Sequence, residues 1–338
     1  MVYALTHTPE ASILHFLAHY DKLWFSSFDK FIDHLDWMKV NFHYCYMHNL
    51  PEDVRPPFPY LVSVLSLLSC FLLFFISKLL SPFIFKAYNA LKESDKEKWD
   101  VKFVSALHAA FVFQGAVRCL IAGGGLFFNS NESLLGYQNL VCGYYTDLSR
   151  FYMAITFGYM FYDFWVCIRA YGFTLEGIFP SLVIHHFNII ISFLLALKFG
   201  MGHYYTLSFM TNEISQPFLH LSWFLIKSKV PQMHPISIIN GLCLVLTFLG
   251  SRFVFNLVIF VHFVANTLSF DPTICLGVGT WTCFIHVACN WHWCWLMVLQ
   301  IRDMIVKKKP TEKANPPTTS LEEKKKSIII YSSTHINN

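Results

Sequence analysis

The hydrophobic positions of this sequence form long, nearly uninterrupted runs instead of short alternating patterns. A helix needs about 20 apolar residues to cross the hydrocarbon core of a bilayer, because lipid offers no hydrogen-bond partner to the backbone. Seven runs approach or reach this length, at approximately residues 60–80, 103–128, 151–168, 177–197, 204–226, 236–265 and 274–299. The pattern predicts an all-α fold, a polytopic bundle of about seven transmembrane helices.

The composition supports the same class of protein. Hydrophobic residues make up 55% of the 338 residues and charged residues only 14%, which is more apolar than an ordinary soluble domain. No nucleic-acid partner is predicted, and the protein is expected to be integral to a membrane.

Basic residues in the connecting segments predict the orientation of the bundle. Five lysines lie between residues 86 and 102, and further Lys and Arg residues follow the third, fifth and seventh runs. The first 59 residues instead carry four Lys and Arg residues against seven Asp and Glu residues. Because cytosolic loops are enriched in Lys and Arg, we expect a lumenal N-terminus and a cytosolic C-terminus. The sequon at Asn131 then falls in a lumenal loop, and its glycosylation is left open.

The chain divides into four predicted parts. Residues 1–56 form a lumenal segment, and residues 57–97 hold the first transmembrane helix and a cytosolic loop. Residues 98–305 form the main transmembrane domain, and residues 306–338 form a disordered cytosolic tail rich in lysine and proline. Within the first part, apolar residues at helical spacing over 13–40 predict an amphipathic helix. This helix either lies on the lumenal membrane interface or packs on the lumenal face of the bundle.

Polar residues inside the apolar runs are the candidates for function. Each is costly in a membrane unless it is paired or faces water. The inventory is His108, Arg118, Asp163, His185, His186, Glu213, Arg252, His286, Asn290 and His292. At 1.5 Å per helical residue, Asp163, the two adjacent histidines, Asn290 and His292 lie roughly 9–14 Å from the cytosolic side. Glu213, Arg118 and Arg252 lie roughly 20–24 Å from that side, where opposite charges could neutralise one another.

The adjacent histidines His185 and His186 are the main catalytic candidates, together with Asp163. Neighbouring helical residues point about 100° apart, so the two imidazoles cannot face one point. One could act as a base or acyl acceptor, oriented by the carboxylate, while the other packs. The alternative is a pair of hydrogen-bonded structural imidazoles. The several histidine boxes of di-iron lipid enzymes are missing, and we predict no metal and no cofactor.

A second candidate pair lies in the fifth and sixth runs. Pro217 removes a helical hydrogen bond near Glu213 and predicts an interruption of the fifth run. The sixth run is long and carries Arg252, so it is expected to be tilted or broken at Gly250–Ser251. Glu213 is predicted to pair with Arg252, with headgroup binding or protonation as alternatives. Asn290 and His292 are expected to be buried polar residues, either structural or in contact with a lipid headgroup.

Five fragments carry a resemblance to a known family. They are KEKWDVKFVSALHAAF (96–111), YDFWVCIRAY (162–171), IFPSLVIHHFNIIISF (178–193), TNEISQPFLHLSWFL (211–225) and NWHWCWLMVLQI (290–301). Their order resembles the TLC-domain family, which includes ceramide synthases and translocating-chain-associated membrane proteins. The likeness is greatest to the branch called TLC domain-containing proteins.

The resemblance implies a function in lipid homeostasis at the endoplasmic reticulum membrane. In ceramide synthases the matching histidine pair lies in the cavity where an acyl chain passes from coenzyme A to a sphingoid amine. The Asp-rich motif that follows the pair in those enzymes is missing here, which argues against sphingoid N-acylation. Two interpretations follow. The bundle encloses a lipid-sized cavity and binds or regulates acyl lipids, or it is an acyl-CoA-dependent acyltransferase that uses His185, His186 and Asp163. Membrane lipids and acyl-CoA are the expected partners, and a homodimer is left open.

Overall fold

The structure is a computed structural model, and it describes residues 8–33, 58–122, 146–171, 179–199, 202–270 and 278–307. All regular secondary structure in these ranges is helical, which confirms the predicted all-α class. The sequon at Asn131 and the tail beyond residue 307 lie outside the described residues, and so does the end of the predicted amphipathic helix.

The described helices are numbered in the order in which they follow one another along the chain. They are α1 (Pro9–Asp33), α2 (Tyr60–Ile84), α3 (Lys86–Asn89), α4 (Glu93–Ala122), α5 (Asp147–Tyr171), α6 (Phe179–Phe199), α7 (His203–Met210), a 3₁₀ helix (Thr211–Ser215), α8 (Gln216–Lys227), α9 (Pro235–Phe248), a π-helix (Leu249–Phe255), α10 (Asn256–Phe270) and α11 (Val278–Lys307).

Five helical stretches in the described residues are long and apolar enough to cross a membrane. They are Tyr60–Ile84, Glu93–Ala122, Asp147–Arg169, Ser181–Lys198 and Pro235–Ala265. These coincide with the first, second, third, fourth and sixth predicted runs. The other two predicted runs are also helical, but the fifth is divided among α7, the 3₁₀ helix and α8, and the seventh lies in α11. The chain is therefore a multi-pass membrane protein.

Both predicted irregularities of the helices are present. The chain changes to 3₁₀ hydrogen bonding at Thr211–Ser215, directly before α8, whose second residue is Pro217. The stretch from α9 to α10 is interrupted by the π-helix Leu249–Phe255, which contains both Gly250 and Ser251. Each irregular turn carries one member of the predicted charge pair.

The core of the bundle is built from α2, α5 and α6, with α5 packed between the other two and α11 against α6. Close contact between α2 and α5 depends on Gly158. A Cβ atom at this position would lie 2.0 Å from the backbone oxygen of Ser63. Small residues allow such close approach between membrane helices, where packing replaces the hydrophobic effect as the attractive force.

The two ends of α4 mark the two ends of the bundle. At its start, Asp95 accepts a hydrogen bond of 2.7 Å from Lys227 at the end of α8. Arg169 at the end of α5 lies 2.9 Å from Glu97. The basic segments are thus gathered at one end. Near the other end of α4, Arg118 contacts α1, so the amphipathic helix lies at the end opposite to the lysines.

Helix α1 lies across the ends of three other helices. Glu10 accepts hydrogen bonds from Arg118 of α4 and Tyr152 of α5, at 2.8 and 3.3 Å. Asp21 accepts a bond of 2.7 Å from the backbone N–H of Leu61 in α2. Burial raises the pKa of Glu10, but a backbone hydrogen bond and the Arg118 guanidinium outweigh it, so the pKa lies below the usual value. The expected grouping of Arg118 with Glu213 and Arg252 is therefore wrong, because Arg118 has its partner in α1.

Candidate functional site

A short polar contact joins α5 to α6. Asp163 Oδ2 lies 2.6 Å from Nε2 of His186, and His186 is almost fully buried. The other ring nitrogen of His186, Nδ1, lies 2.7 Å from the backbone oxygen of Leu182 one turn earlier. A carbonyl oxygen only accepts hydrogen bonds, so Nδ1 carries a proton. A second proton is then shared between Nε2 and the Asp163 carboxylate, and it fixes the ring in one orientation.

The predicted contact between Asp163 and one of the histidines is therefore present, and the structure identifies the histidine as His186. The contact follows from the distance of each residue from the end of its helix. Asp163 lies about two turns from the end of α5 at Tyr171, and His186 lies about two turns from the start of α6 at Phe179. Because α5 and α6 pack against each other, these similar depths place the two side chains together.

Cys167 lies beside this pair, one turn after Asp163. Its Sγ is 3.9 Å from His186 Nε2, and one donor atom from each of Asp163, Cys167 and His186 lies within 4.8 Å of the others. Carboxylate, thiolate and imidazole form a donor set that suits Zn²⁺. However, the hydrogen bond to Asp163 already occupies Nε2, and a metal would have to replace it. The three residues could hold an ion only after that bond opened.

The imidazole of His185 points away from that of His186, as helical geometry requires. The two rings are perpendicular, with centroids 5.8 Å apart. His185 instead contacts the rings of His286 and Trp293 on α11, at 5.4 and 4.7 Å. Its buried Nδ1 atom finds no hydrogen-bond partner within the described residues. Of the adjacent pair, His186 is thus held on both sides, while His185 keeps an uncommitted nitrogen.

Arg252 is buried where the π-helix meets the 3₁₀ helix and α11. Its Nε donates to Ser215 Oγ at 3.0 Å, and its Nη1 donates to Asn290 Oδ1 at 2.7 Å. Its Nη2 lies 4.0 Å from Glu213 Oε1, at the outer limit of an ion pair. The structure thus brings Glu213 and Arg252 together, but the guanidinium donates its hydrogen bonds to neutral groups.

One face of α11 supplies the remaining polar side chains. His286, Asn290 and Trp293 follow each other at helical spacing, and Asn290 also donates to the backbone oxygen of His286 at 2.8 Å. The ring of Trp293 lies 6.0 Å from the Arg252 guanidinium. We call the connected group the polar cluster; it comprises Asp163, His185, His186, Glu213, Arg252, His286, Asn290 and Trp293.

His292 does not belong to the polar cluster. Its side chain is exposed on the surface of the bundle, so the expected burial is wrong. The reason is the helical period, since two residues correspond to a rotation of about 200°. Asn290 faces the interior, and His292 therefore faces outward.

His220 on α8 is a buried polar residue that is not among the predicted ones. Neither of its ring nitrogens has a hydrogen-bond partner among the described residues, and it interacts electrostatically with Asp163 and Lys102. It follows Pro217 by three residues in an apolar run, which is a readable signal. Asn212 was missed as well, and its Nδ2 lies 3.1 Å from Nε2 of His286. Its neighbours along the chain are polar, so its burial could not be read from the sequence.

Comparison with known protein families assigns most of the helical part of the chain to one domain. The sequence profile of the TLC domain matches residues 98–299, which is more than half of the chain. The chain belongs to the TLC domain family. The matched range begins in α4 and ends in α11, and it includes the whole polar cluster. Membership supports a lipid-related membrane function.

Three curated relatives show how far the similarity extends. The chain is 27% identical to TLC domain-containing protein 4-B of Danio rerio over 183 residues, which cover 53% of this chain and 63% of that protein. It is 25% identical to TLC domain-containing protein 4 of Homo sapiens over 208 residues, covering 61% and 73%. It is 25% identical to TLC domain-containing protein 4-A of Xenopus laevis over 250 residues, covering 69% and 88%. No solved structure matches the chain.

Proposed function

We propose that this protein binds acyl lipids inside the membrane and regulates them, with the polar head of the lipid at the polar cluster. The observation that carries the proposal is the 2.6 Å hydrogen bond between Asp163 and His186. It fixes an ionisable pair about 9 Å inside a membrane helix, where such groups are rarely kept without a function. The TLC domain family supports a lipid as the ligand.

Unpartnered polar atoms beside this pair support a ligand with a polar head. Nδ1 of His185, both ring nitrogens of His220 and Nη2 of Arg252 are buried and have no hydrogen-bond partner in the described part of the chain. Each such atom costs about 1–3 kcal/mol relative to a satisfied one. An acyl lipid that brings hydroxyl, amino or carbonyl groups to the cluster would provide partners.

A second candidate function is acyl transfer from acyl-CoA to a lipid. The favouring observation is the different state of the two histidines, since His186 is held by Asp163 while His185 Nδ1 is uncommitted. As a base, His185 would take the proton of an amine or hydroxyl while that group attacks the thioester carbonyl. The carbon–sulfur bond then breaks, and the leaving thiolate takes the proton from the imidazolium. The rings of His286 and Trp293, which contact His185, would position it.

The proposal places the protein in the endoplasmic reticulum membrane, with the basic end of the bundle toward the cytosol. The location rests on the family alone. Acyl-CoA is a water-soluble cytosolic molecule, and the polar cluster lies on helices whose basic ends, near Arg169 and Lys227, belong on the cytosolic side by the distribution of charge. A cytosolic donor and a membrane acceptor could both approach it.

Comparative lipid analysis tests the proposal. Cells would express wild type, His185→Ala, His186→Ala or the control His262→Ala at equal levels, and acyl lipids would be quantified by mass spectrometry. His262 is also a membrane histidine, but it bonds to Tyr205 and lies outside the polar cluster. We expect wild type and the control to change the same acyl-lipid class and both cluster variants to lose that change.

The same measurement separates the two functions. Acyl transfer predicts a product whose amount falls at least tenfold in the His185→Ala cells, whereas binding alone predicts altered proportions of existing lipids without a new product. A lipid profile that is the same in all four cell lines and in untransfected cells would contradict both.

A further inference from the structure

Two guanidinium nitrogens of Arg252 donate hydrogen bonds, and the third does not among the described residues. The side chain is 2% exposed, and Ser215 and Asn290 fix two of its three nitrogens. The third nitrogen, Nη2, has no hydrogen-bond partner in the parts of the chain that the structure describes. Because the other two contacts come from different segments, the guanidinium plane cannot turn to satisfy Nη2 without losing them. This donor is therefore held ready for an acceptor that the described residues do not supply.

Glu213 neutralises the guanidinium without using this donor. Its Oε1 atom lies 4.0 Å from Nη2, beyond hydrogen-bonding distance but close enough to balance the charge. A second anion at Nη2 would lie next to this carboxylate and be repelled by it. A neutral acceptor has no such penalty. The geometry thus favours a carbonyl oxygen over a phosphate or a free carboxylate.

The Arg252 guanidinium and the His185 imidazole lie near the same side chain, Trp293. The ring of Trp293 lies 4.7 Å from the ring of His185 and 6.0 Å from the Arg252 guanidinium. The Trp293 N–H donates to Ser181 Oγ at 3.1 Å, which fixes the indole between α6 and α11. His185 and Arg252 also interact electrostatically. Both side chains therefore pack around the same indole ring.

We propose that Nη2 of Arg252 binds the carbonyl oxygen of an acyl group, and that this contact selects acyl esters, thioesters and amides over alkyl chains that lack a carbonyl. The inference rests on the proposed binding of acyl lipids, and it names the atom that recognises them. The π-helix that carries Arg252 fits this role, since such turns are frequent at functional sites. If acyl transfer occurs, the same donor stabilises the negative charge that develops on the carbonyl oxygen.

A pair of probes that differ only in the carbonyl tests this inference. Binding of 1-oleoylglycerol, an ester, would be compared with binding of 1-O-oleylglycerol, its ether analogue, to the purified full-length protein in nanodiscs. A hydrogen bond from a charged donor predicts about tenfold tighter binding of the ester. In Arg252→Gln, the ratio of the two affinities should fall to about one. The control Arg169→Gln removes an exposed arginine at the basic end and should keep the ratio.

Each outcome decides one of the two claims. Equal affinity of wild type for ester and ether overturns the carbonyl contact but leaves lipid binding standing. Wild type that binds neither probe overturns the proposed lipid binding and the inference with it. Since Arg252→Gln leaves Glu213 without a counter-charge, the double variant Glu213→Gln/Arg252→Gln provides a second, uncharged form. If either folded variant keeps the tenfold preference for the ester, Arg252 is not the donor.

Discussion

At the scale of single residues, the charge of Arg252 is held mainly by neutral neighbours. Arg252 receives its two short contacts from Ser215 and Asn290, and Glu213 lies farther away. When one partner of a buried ion pair is removed, the other charge is left uncompensated. When one partner of an exposed pair is removed, water solvates the remaining charge. The depth of a pair therefore matters more for stability than the distance between its atoms.

The Glu213–Arg252 pair tests whether depth matters more for stability than the distance between the charged atoms. Glu213→Gln and Arg252→Gln should each lower the free energy of unfolding in detergent by about 3–5 kcal/mol, and the double variant should recover part of the loss. The control pair Glu97 and Arg169 is shorter, at 2.9 Å, but exposed. Its variants should cost about 1 kcal/mol or less. Strictly additive losses at Glu213 and Arg252 in thermal unfolding would contradict the pairing.

The sequence could predict which residues lie at the same depth in the cluster, but not which of their side chains contact each other. Depth along each helix was enough to place Asp163 beside the two histidines and Glu213 near Arg252. It could not tell which imidazole would turn toward Asp163, because this depends on the rotation of α6 about its axis. For the same reason it placed His292 inside.

At the scale of helices, the contact between α2 and α5 depends on a glycine. Gly158→Ala would place a methyl group 2.0 Å from the Ser63 backbone oxygen, so the helices must move apart. Such overpacking typically costs about 1–3 kcal/mol. As a control, a Cβ atom at Gly241 in α9 has nothing within 4 Å, and Gly241→Ala should stabilise the helix by up to about 1 kcal/mol. In detergent, the unfolding temperature should fall for Gly158→Ala and rise for Gly241→Ala. An unchanged unfolding temperature of Gly158→Ala would contradict the close packing.

Docking of α1 should depend on pH through Glu10. The pKa of Glu10 is lower in the folded protein than the ordinary value of 4.5, so its ionised form stabilises the folded state. This contribution is complete above about pH 4.5 and is lost as the pH falls through the lower, folded pKa. The difference in stability between wild type and Glu10→Gln, measured from pH 7 to pH 3, should therefore vanish only at the acid end. A difference that stays constant to pH 3 would contradict the ion pair with Arg118.

The positions of the irregular turns could be read from local chemistry, whereas the helix boundaries could not, since the run predicted at 103–128 corresponds to a helix at Glu93–Ala122. Pro217 predicted an interruption where the structure has the 3₁₀ turn. Gly250–Ser251 predicted a tilt or a break where it has the π-helix. For α1, the sequence left open whether the helix contacts lipid or the bundle. The structure shows one side packed through Ala11 and Leu14, while Phe16 and Trp24 on the other side are 68% and 64% exposed. An amphipathic pattern shows that one face is apolar but does not identify what covers it.

At the scale of the whole molecule, the bundle has two chemically different ends. Lys227 and Arg169 meet acidic residues at the start of α4, and α1 lies at the opposite end. The class of the fold could be predicted from the sequence, because the length of an apolar run is set by the thickness of the bilayer. The packing order of the helices could not, since lipid-facing and helix-facing apolar residues look alike in sequence.

The distribution of charge predicts the topology in the membrane. The basic end should face the cytosol, which places α1 and the N-terminus in the lumen and the C-terminus in the cytosol. Tags at the two termini would be exposed to protease in sealed microsomes. The C-terminal tag should be digested and the N-terminal tag protected. Protection of the C-terminal tag would reverse the orientation.

The central claim is that the head of an acyl lipid reaches the polar cluster inside the bundle. Photo-crosslinking with a fatty-acid probe that carries a diazirine next to its carboxyl carbon, followed by peptide mapping, tests this most directly. Cells would incorporate the probe into their own lipids before irradiation. We expect crosslinks in α6 and α11, near His185 and Trp293, and they should fall at least fivefold in Asp163→Asn. Crosslinks confined to outward-facing residues such as Leu68 and Leu72 of α2, unchanged in Asp163→Asn, would contradict it.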